Sequence, residues 1–326
     1  MIIYFLRITS FLFGGIMSDF QLIPLQSRPL EGSFTILRGI PSRKCRQIGP
    51  WCFFDKLNEP SINHDHHLNV GPHPHIGLQI LSWLVDGAVV HQDSLGNKLV
   101  ADSDALNFMT AGRGIVHTED SPVSLLEKGD SMLHLLQFWI ALPKAYEEID
   151  PDFVSMKQND LPMIDFSLGR GKLIVGQYRN QISPLKTYSP IFAMELTLNA
   201  GVMDLSLMPT FEYGITIIEG DVRFEDAKNG TSLHEDAVMP DNLLVFTNVE
   251  SLRIKVAGNA RFIIFGGLPL KDAHYIWWNY VSSDPNKIRH SQTLWESGDT
   301  TIFPNIAGES RENLIAPELP AKFIAF

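Results

Sequence analysis

Seven of the eleven histidines of this 326-residue chain fall between positions 64 and 117, and two short segments among them have the spacing of a metal site. The first is Gly71-Pro72-His73-Pro74-His75. In an extended strand residues i and i+2 point to the same face, so His73 and His75 can converge on one ion. Pro74 has no N–H to give to a ladder, which places the segment at a strand start, an edge or a rim, where barrels open to ligands. The second is Thr110-Ala111-Gly112-Arg113-Gly114-Ile115-Val116-His117-Thr118-Glu119, with a histidine and a carboxylate again at i and i+2. Its glycines permit a tight turn or bulge that aims the following strand inward. If both segments face one lumen, three imidazoles and one carboxylate surround a point and leave one or two positions of an octahedral ion open. Such a set suits Fe(II), Mn(II), Ni(II) or Co(II) better than a closed structural zinc site. A single strand histidine is more often a hydrogen-bonded structural residue than a ligand. Two i, i+2 pairs in a β-rich chain reverse that preference.

Other polar residues carry weaker signals. His91 and Asp93 lie on the hairpin beyond the first pair, where they could fix imidazole tautomers, although turn and strand packing is the plainer reading. His64, His66 and His67 read as a solvated loop, and Arg113 reads as an internal ion pair in preference to a substrate contact. Arg38, Arg43, Lys44 and Arg46 form a short basic cluster without interleaved aromatics and read as an ordinary solvated stretch. His234, beside Glu235 and Asp236, reads as an exposed turn. The phenylalanines and Trp83 could furnish an apolar pocket for a flat aromatic molecule, although core packing explains most of them.

The elements that must position these residues read as β. Apolar runs of four to eight residues recur between turn signals, as in Leu78–Val85, Lys98–Thr110 and Met132–Leu142. After a proline- and acid-bearing stretch at 142–153, strand-like runs resume at 190–198, 213–225, 242–247, 252–257 and 261–267. Short strands at regular spacing, twice over, predict two β-barrels or sandwiches in tandem. The second set repeats the rhythm of the first without an H-x-H pair, so one barrel is expected to hold a metal and the other none. Asp284-Pro285 forms a cap and first turn for a helix over 286–297. The aromatic run His274–Trp278 before it reads as packing.

Composition bounds the rest. Hydrophobic residues make up 44% of the chain and the net charge is −11, which describes a folded, acidic protein and excludes dominant disorder. An acidic surface repels phosphate backbones, so direct nucleic-acid binding is not expected. The two cysteines, Cys45 and Cys52, give neither a disulfide framework nor a CxxC spacing and point to a reducing, cytoplasmic setting. Residues 1–16 are almost wholly apolar but too short to span a bilayer, and Met17 opens a normal soluble start, so the run reads as a spurious upstream start in preference to a signal or anchor or a packed N-terminal strand. No membrane association is expected for the two barrels.

The segments His73–Gly87, His91–Asn97 and Phe108–Glu119 resemble the cupin metal motifs in the form found in the pirin family. The similarity extends through a second barrel to Tyr275–Ile288, covering roughly residues 18 to 305. The resemblance implies an all-β chain of two tandem cupin-type jelly-roll barrels with a short helical C-terminal segment. Residues 1–17 are then an apolar extension and 18–145 the metal-binding barrel. Residues 146–187 are a linker with a connecting strand, and 188–326 a second barrel without a metal, plus the tail. Carried over residue by residue, the family's ligands are His73, His75, His117 and Glu119. The carboxylate of the wider cupin pattern is Gln79 here, which removes no ligand, because the pirin arrangement draws its carboxylate from the second motif. The family usually holds iron, and Mn, Ni, Co, Cu or Zn are alternatives. Some members resemble quercetinases, which open a flavonol ring with O2 and release carbon monoxide. In that role Glu119 would both bind the ion and accept the substrate hydroxyl proton. Other members resemble non-enzymatic, metal- or redox-sensing partners of transcription factors, acting through protein contacts. A structural or sugar-binding cupin is the third reading.

Overall fold

The computed structural model describes residues 20–30, 34–103, 105–128, 131–234 and 236–326. The apolar run at 1–16 and Glu235 lie outside them. The chain forms two β-barrels, each made of a large sheet facing a four-stranded one. In the first, the large sheet runs in the order Asp152–Lys157, Ala105–Thr110, Leu78–Asp86, Ser131–Ala141, Trp51–Ile62, Thr35–Ile40, Gln26–Pro29. The small sheet is Asn69–His75, Ile115–Asp120, Ala88–Asp93, Lys98–Asp102. All of these pairings are antiparallel.

Alternation along the central strands explains why they are apolar on both faces. On Leu78–Asp86, Leu78, Ile80 and Leu84 turn into the first barrel, while Leu81 and Trp83 turn outward. On Ser131–Ala141, Leu133, Leu135 and Trp139 face inward and Leu136, Phe138 and Ile140 outward. The outward residues do not meet water. They pack against Ile174, Leu243, Ile263 and Phe265 of the second barrel in one shared core. Near-continuous apolar runs are what a sheet covered on both faces requires. Each fully buried side chain of this kind contributes roughly 1.5–3 kcal/mol.

One strand crosses between the halves of the sequence, and another extends the first barrel. Phe20–Pro24 pairs with Asn242–Thr247 at the edge of the second barrel's large sheet. Asp152–Lys157, in the stretch expected as a linker, pairs with Ala105–Thr110 of the first. The capped helix is present as Pro285–Glu296, with the Asp284 side chain accepting from the Asn286 amide. Beyond it the tail folds back over the first barrel: the Leu314 amide donates at 2.9 Å to the carbonyl of Pro72, the residue immediately before His73.

Candidate metal centre

The two histidine strands are neighbours in the small sheet, with His117 opposite His73 and Ile115 opposite His75. The turn feeding the second strand depends on Gly112. Its φ is +52°, and an added Cβ would lie 2.1 Å from the Ile149 carbonyl oxygen, so a side chain is excluded twice over. The glycines thus form the turn, and a separate register slip against Asn69–His75 falls further on, between His117 and Glu119.

His73, His75 and His117 come together. One ligand nitrogen from each lies within 4.8 Å of the others, and ring centroids are 4.3 to 5.0 Å apart. All three are buried. The His73 Nδ1–H donates to the Gly71 carbonyl at 2.9 Å, and the His75 Nδ1–H donates to the Asn279 carbonyl at 3.1 Å. A carbonyl can only accept, so in each neutral ring Nε2 carries a bare lone pair. Nε2 of His75 and of His117 is buried with no hydrogen-bond partner. Orphaned lone pairs of this kind are costly unless an ion completes them.

Electrostatics favours the neutral, ligating form. Burial, with a smaller push from His91 and against the Gly71 hydrogen bond, takes His73 down to about 4. His75 and His117 are driven well below the ordinary histidine range, first by burial and then by their neighbouring imidazoles. Three neutral nitrogens converging on one point fit a first-row transition ion.

Glu119 occupies a different position from these three. It lines the same cavity as His73, but its carboxylate is turned onto Gln137, whose Nε2 donates to Oε1 at 3.0 Å and Oε2 at 3.2 Å. Burial raises its carboxyl above the ordinary range, and the Gln137 hydrogen bond partly opposes this. The group of ligand atoms found together among the described residues consists of the three imidazoles.

The cavity has a volume of about 580 Å³, within the range of small-molecule sites. Phe53 and Trp139 stack in its wall with centroids 3.9 Å apart and planes 10° from parallel. Arg38 lies 4.4 Å from the Phe53 ring centroid and grips Asp55 through two hydrogen bonds of 2.7 and 2.8 Å. The outer wall comes from the far end of the chain, through Trp277, Leu314 and Phe323.

The remaining expectations divide. Arg113 does pair with Asp150, but on the surface, with both side chains exposed, and not as the internal pair expected. His66 is half-buried, held by Glu59 at 3.0 Å, and lies outside the cavity wall with the rest of its loop. His234 contacts Asp236 within a turn. Trp83 belongs to the shared core, donating from Nε1 to Glu195 at 2.8 Å, and the aromatic wall is Phe53 and Trp139 instead. Arg38 and Arg46 are not merely a solvated stretch, because both line the cavity. Trp277 and Trp278 pack, as expected, and also close it. Gln137 escaped the sequence reading, although a lone amide inside the apolar run MLHLLQFWIAL was a usable signal.

Two family profiles match the chain: Pirin over residues 33–140, and the Pirin C-terminal cupin domain over residues 193–301. A Pseudomonas aeruginosa protein curated as "Putative quercetin 2,3-dioxygenase" is 33% identical over 94% of this chain and 92% of its own length. A "Pirin-like protein" of Caulobacter vibrioides is 32% identical over 82% of this chain and 90% of its own. Among solved structures, a quercetin 2,3-dioxygenase from Acinetobacter baumannii superposes with a TM-score of 0.83 at 32% identity, covering 94% of this chain and 97% of that one. A bacterial pirin from Escherichia coli, solved in complex with nickel(II), shares the fold at a TM-score of 0.60 and 19% identity, covering 77% of this chain and 100% of that one. With one profile on each barrel and relatives aligned along nearly its whole length, the chain belongs to the pirin family and is a bicupin.

Proposed function

We propose that the protein is a metal-dependent dioxygenase acting on a flavonol or a similar enolisable aromatic, in the manner of quercetin 2,3-dioxygenase. The observation that carries this reading is the convergence of three buried, neutral imidazoles, one of which, His73, lines an apolar cavity of about 580 Å³ walled by stacked aromatics. Likeness to proteins named as quercetin 2,3-dioxygenases supports it. His73, His75 and His117 would hold the ion, with Glu119 as the carboxylate of the set. When bound, a divalent ion such as iron(II), or else manganese, nickel, cobalt, copper or zinc, offers open positions to a substrate oxygen and, if redox-active, to O2.

The protein's own groups supply the rest. Phe53 and Trp139 offer flat apolar surface to a planar substrate, and Trp277, Leu314 and Phe323 shield it from water. Glu119 and Asp55 are the carboxylates of the wall, and Arg38 already holds Asp55. Glu119, made more basic by burial, takes the substrate hydroxyl proton while Gln137 steadies its carboxylate.

The test is to load the protein with iron(II) without oxygen, add flavonol and then O2, and measure flavonol loss with carbon monoxide release. His117→Ala serves as the control. Turnover that disappears in the variant is the expected result. A fully loaded parent that consumes no flavonol overturns the reading and favours a metal-dependent protein that works through a partner.

A further inference from the structure

We infer that Asp93 and His91 form a positioning relay that sets the tautomer and ring orientation of His117, and with them the metal affinity of the centre. The inference rests on the reading of His73, His75 and His117 as metal ligands.

His117 differs from the other two imidazoles. His73 and His75 each give their Nδ1–H to a backbone carbonyl, whereas the partner of His117 Nδ1 is another imidazole nitrogen, Nδ1 of His91, at 3.5 Å. Two such nitrogens can share only one hydrogen, so one of them must be bare. His91 decides which. Its Nε2 lies 3.0 Å from Asp93 Oδ2, and a carboxylate only accepts, so in its one-hydrogen form the His91 ring carries that hydrogen on Nε2. His91 Nδ1 is then an acceptor, and His117 Nδ1 must donate to it. That leaves Nε2 of His117 bare, which is the atom found buried and unpartnered beside Nε2 of His75. The assignment runs one way, from Asp93 through His91 to His117.

Each member of the chain is fixed independently. Asp93 is wholly buried and accepts from the Leu95 amide at 2.9 Å, the Asn97 amide at 3.0 Å and Asn97 Nδ2 at 2.9 and 3.1 Å. His91 is stacked on Phe153 with centroids 4.0 Å apart and planes 8° from parallel. The ladder puts Asp93 opposite His117 and His91 opposite Glu119, so two antiparallel i, i+2 pairs present their side chains to one face. Packing alone gives no reason for an imidazole here. An aliphatic side chain would fill the space against Phe153 without a polar atom to satisfy. Partners behind metal-binding imidazoles typically account for 10- to 100-fold in metal affinity.

The test uses the full-length, metal-free protein and Co(II), followed by the visible ligand-field bands of the bound ion. His91→Leu keeps apolar bulk against Phe153 and removes the acceptor. His91→Asn places its Oδ1 close to where the imidazole Nδ1 lies and retains one. The relay predicts that His91→Leu weakens Co(II) binding about 10- to 100-fold and shifts the bands, while His91→Asn recovers most of the loss. Equal Co(II) affinities in the two variants, whether at or below the parent's, overturn the relay. Nitrogen-15 spectra of the metal-free parent test it without any variant: His91 must carry its hydrogen on Nε2 and His117 on Nδ1, and any other pair of tautomers overturns it. A parent that takes up no Co(II) overturns the metal-centre reading instead, and the nitrogen-15 result still judges the hydrogen-bond chain by itself.

Discussion

Gln137 donates its side-chain amide to both carboxylate oxygens of Glu119, at 3.0 and 3.2 Å, across the lumen between the large and small sheets of the first barrel. The amide stabilises the charged form of Glu119 and so works against the burial that raises its proton affinity. Gln137→Leu removes that support, and Glu119 is held further above the ordinary carboxylate range. If Glu119 is the proton acceptor in flavonol turnover, the acidic limb of the pH–rate profile moves to higher pH. A hydrogen bond to a charged group is worth about 1.5–3 kcal/mol, so the rate at the acidic end falls about tenfold or more. The alkaline plateau stays close to that of the parent. An unmoved acidic limb would remove Glu119 from the role of base.

The three imidazoles predict a metal-dependent stabilisation. A ligand that binds only the folded chain stabilises it by about 2.7 kcal/mol at a hundredfold excess over Kd. Thermal unfolding of the metal-free protein, with and without added iron(II) or nickel(II) under oxygen-free conditions, is expected to show a rise in midpoint. His75→Ala, which removes a buried imidazole with an orphaned Nε2, abolishes the rise. His66→Ala, which leaves the three-imidazole group intact, retains it. A rise that survives His75→Ala would place the ion elsewhere.

What was legible in the sequence follows from the two-residue period of a strand. It put His73 beside His75 and His117 on the same side as Glu119 without any knowledge of pairing. It could not say which face of a strand looks into the cavity. Trp83 was read as a pocket candidate, yet it shares the outward face of its strand with Leu81 and donates to Glu195 in the second barrel. Leu78 and Ile80, one parity off, are the residues that face inward. Face assignment depends on what packs against each side, and that is a long-range matter. The outer wall was hidden for the same reason, since Trp277, Leu314 and Phe323 reach the cavity from more than 130 residues beyond Trp139 in sequence. The Phe20–Pro24 strand likewise joins the far barrel because an edge there accepts it. Arg38 looked solvated because its partners, Asp55 and the face of Phe53, lie on a neighbouring strand.

The buried histidines also make stability depend on pH. His73 and His134 are both taken down to about 4, in each case chiefly by burial, and burial likewise holds His75 and His117 well below the ordinary histidine range. An unfolded chain binds a proton at each of these near the ordinary value of 6.5, so between 6.5 and 4 it holds more protons than the folded one. Their contribution to stability is therefore full above about 6.5 and is lost as the pH falls through that window. Each imidazole accounts for up to about 1.4 kcal/mol per pH unit. Urea unfolding of the metal-free protein at pH 7.5 and 5.5 is expected to show a clearly lower midpoint at the acidic value. His134→Phe, which removes one of the four groups, flattens the dependence. Equal midpoints at the two pH values would contradict neutral burial of the cluster.

Arg311 ties the tail to both histidine strands. Its guanidinium donates to Asp120 at 2.6 and 2.8 Å, to Asn69 and to Glu309, while three residues on Leu314 contributes to the cavity wall. The Arg311–Asp120 pair is about one-third exposed on the arginine side and one-quarter on the aspartate side, so its loss costs no more than about 1 kcal/mol of global stability. Its effect falls instead on where the wall sits. Arg311→Ala is expected to raise KM for flavonol several-fold with kcat nearly unchanged, because neither the imidazoles nor Glu119 is touched. Limited proteolysis should cut the tail faster in the variant, while the thermal midpoint stays close to that of the parent. Arg311→Lys repairs this incompletely, because an ammonium cannot span both oxygens of Asp120 as the planar fork does. An unchanged KM alongside faster cleavage of the tail would show that the wall formed by Leu314 and Phe323 plays no part in holding the substrate.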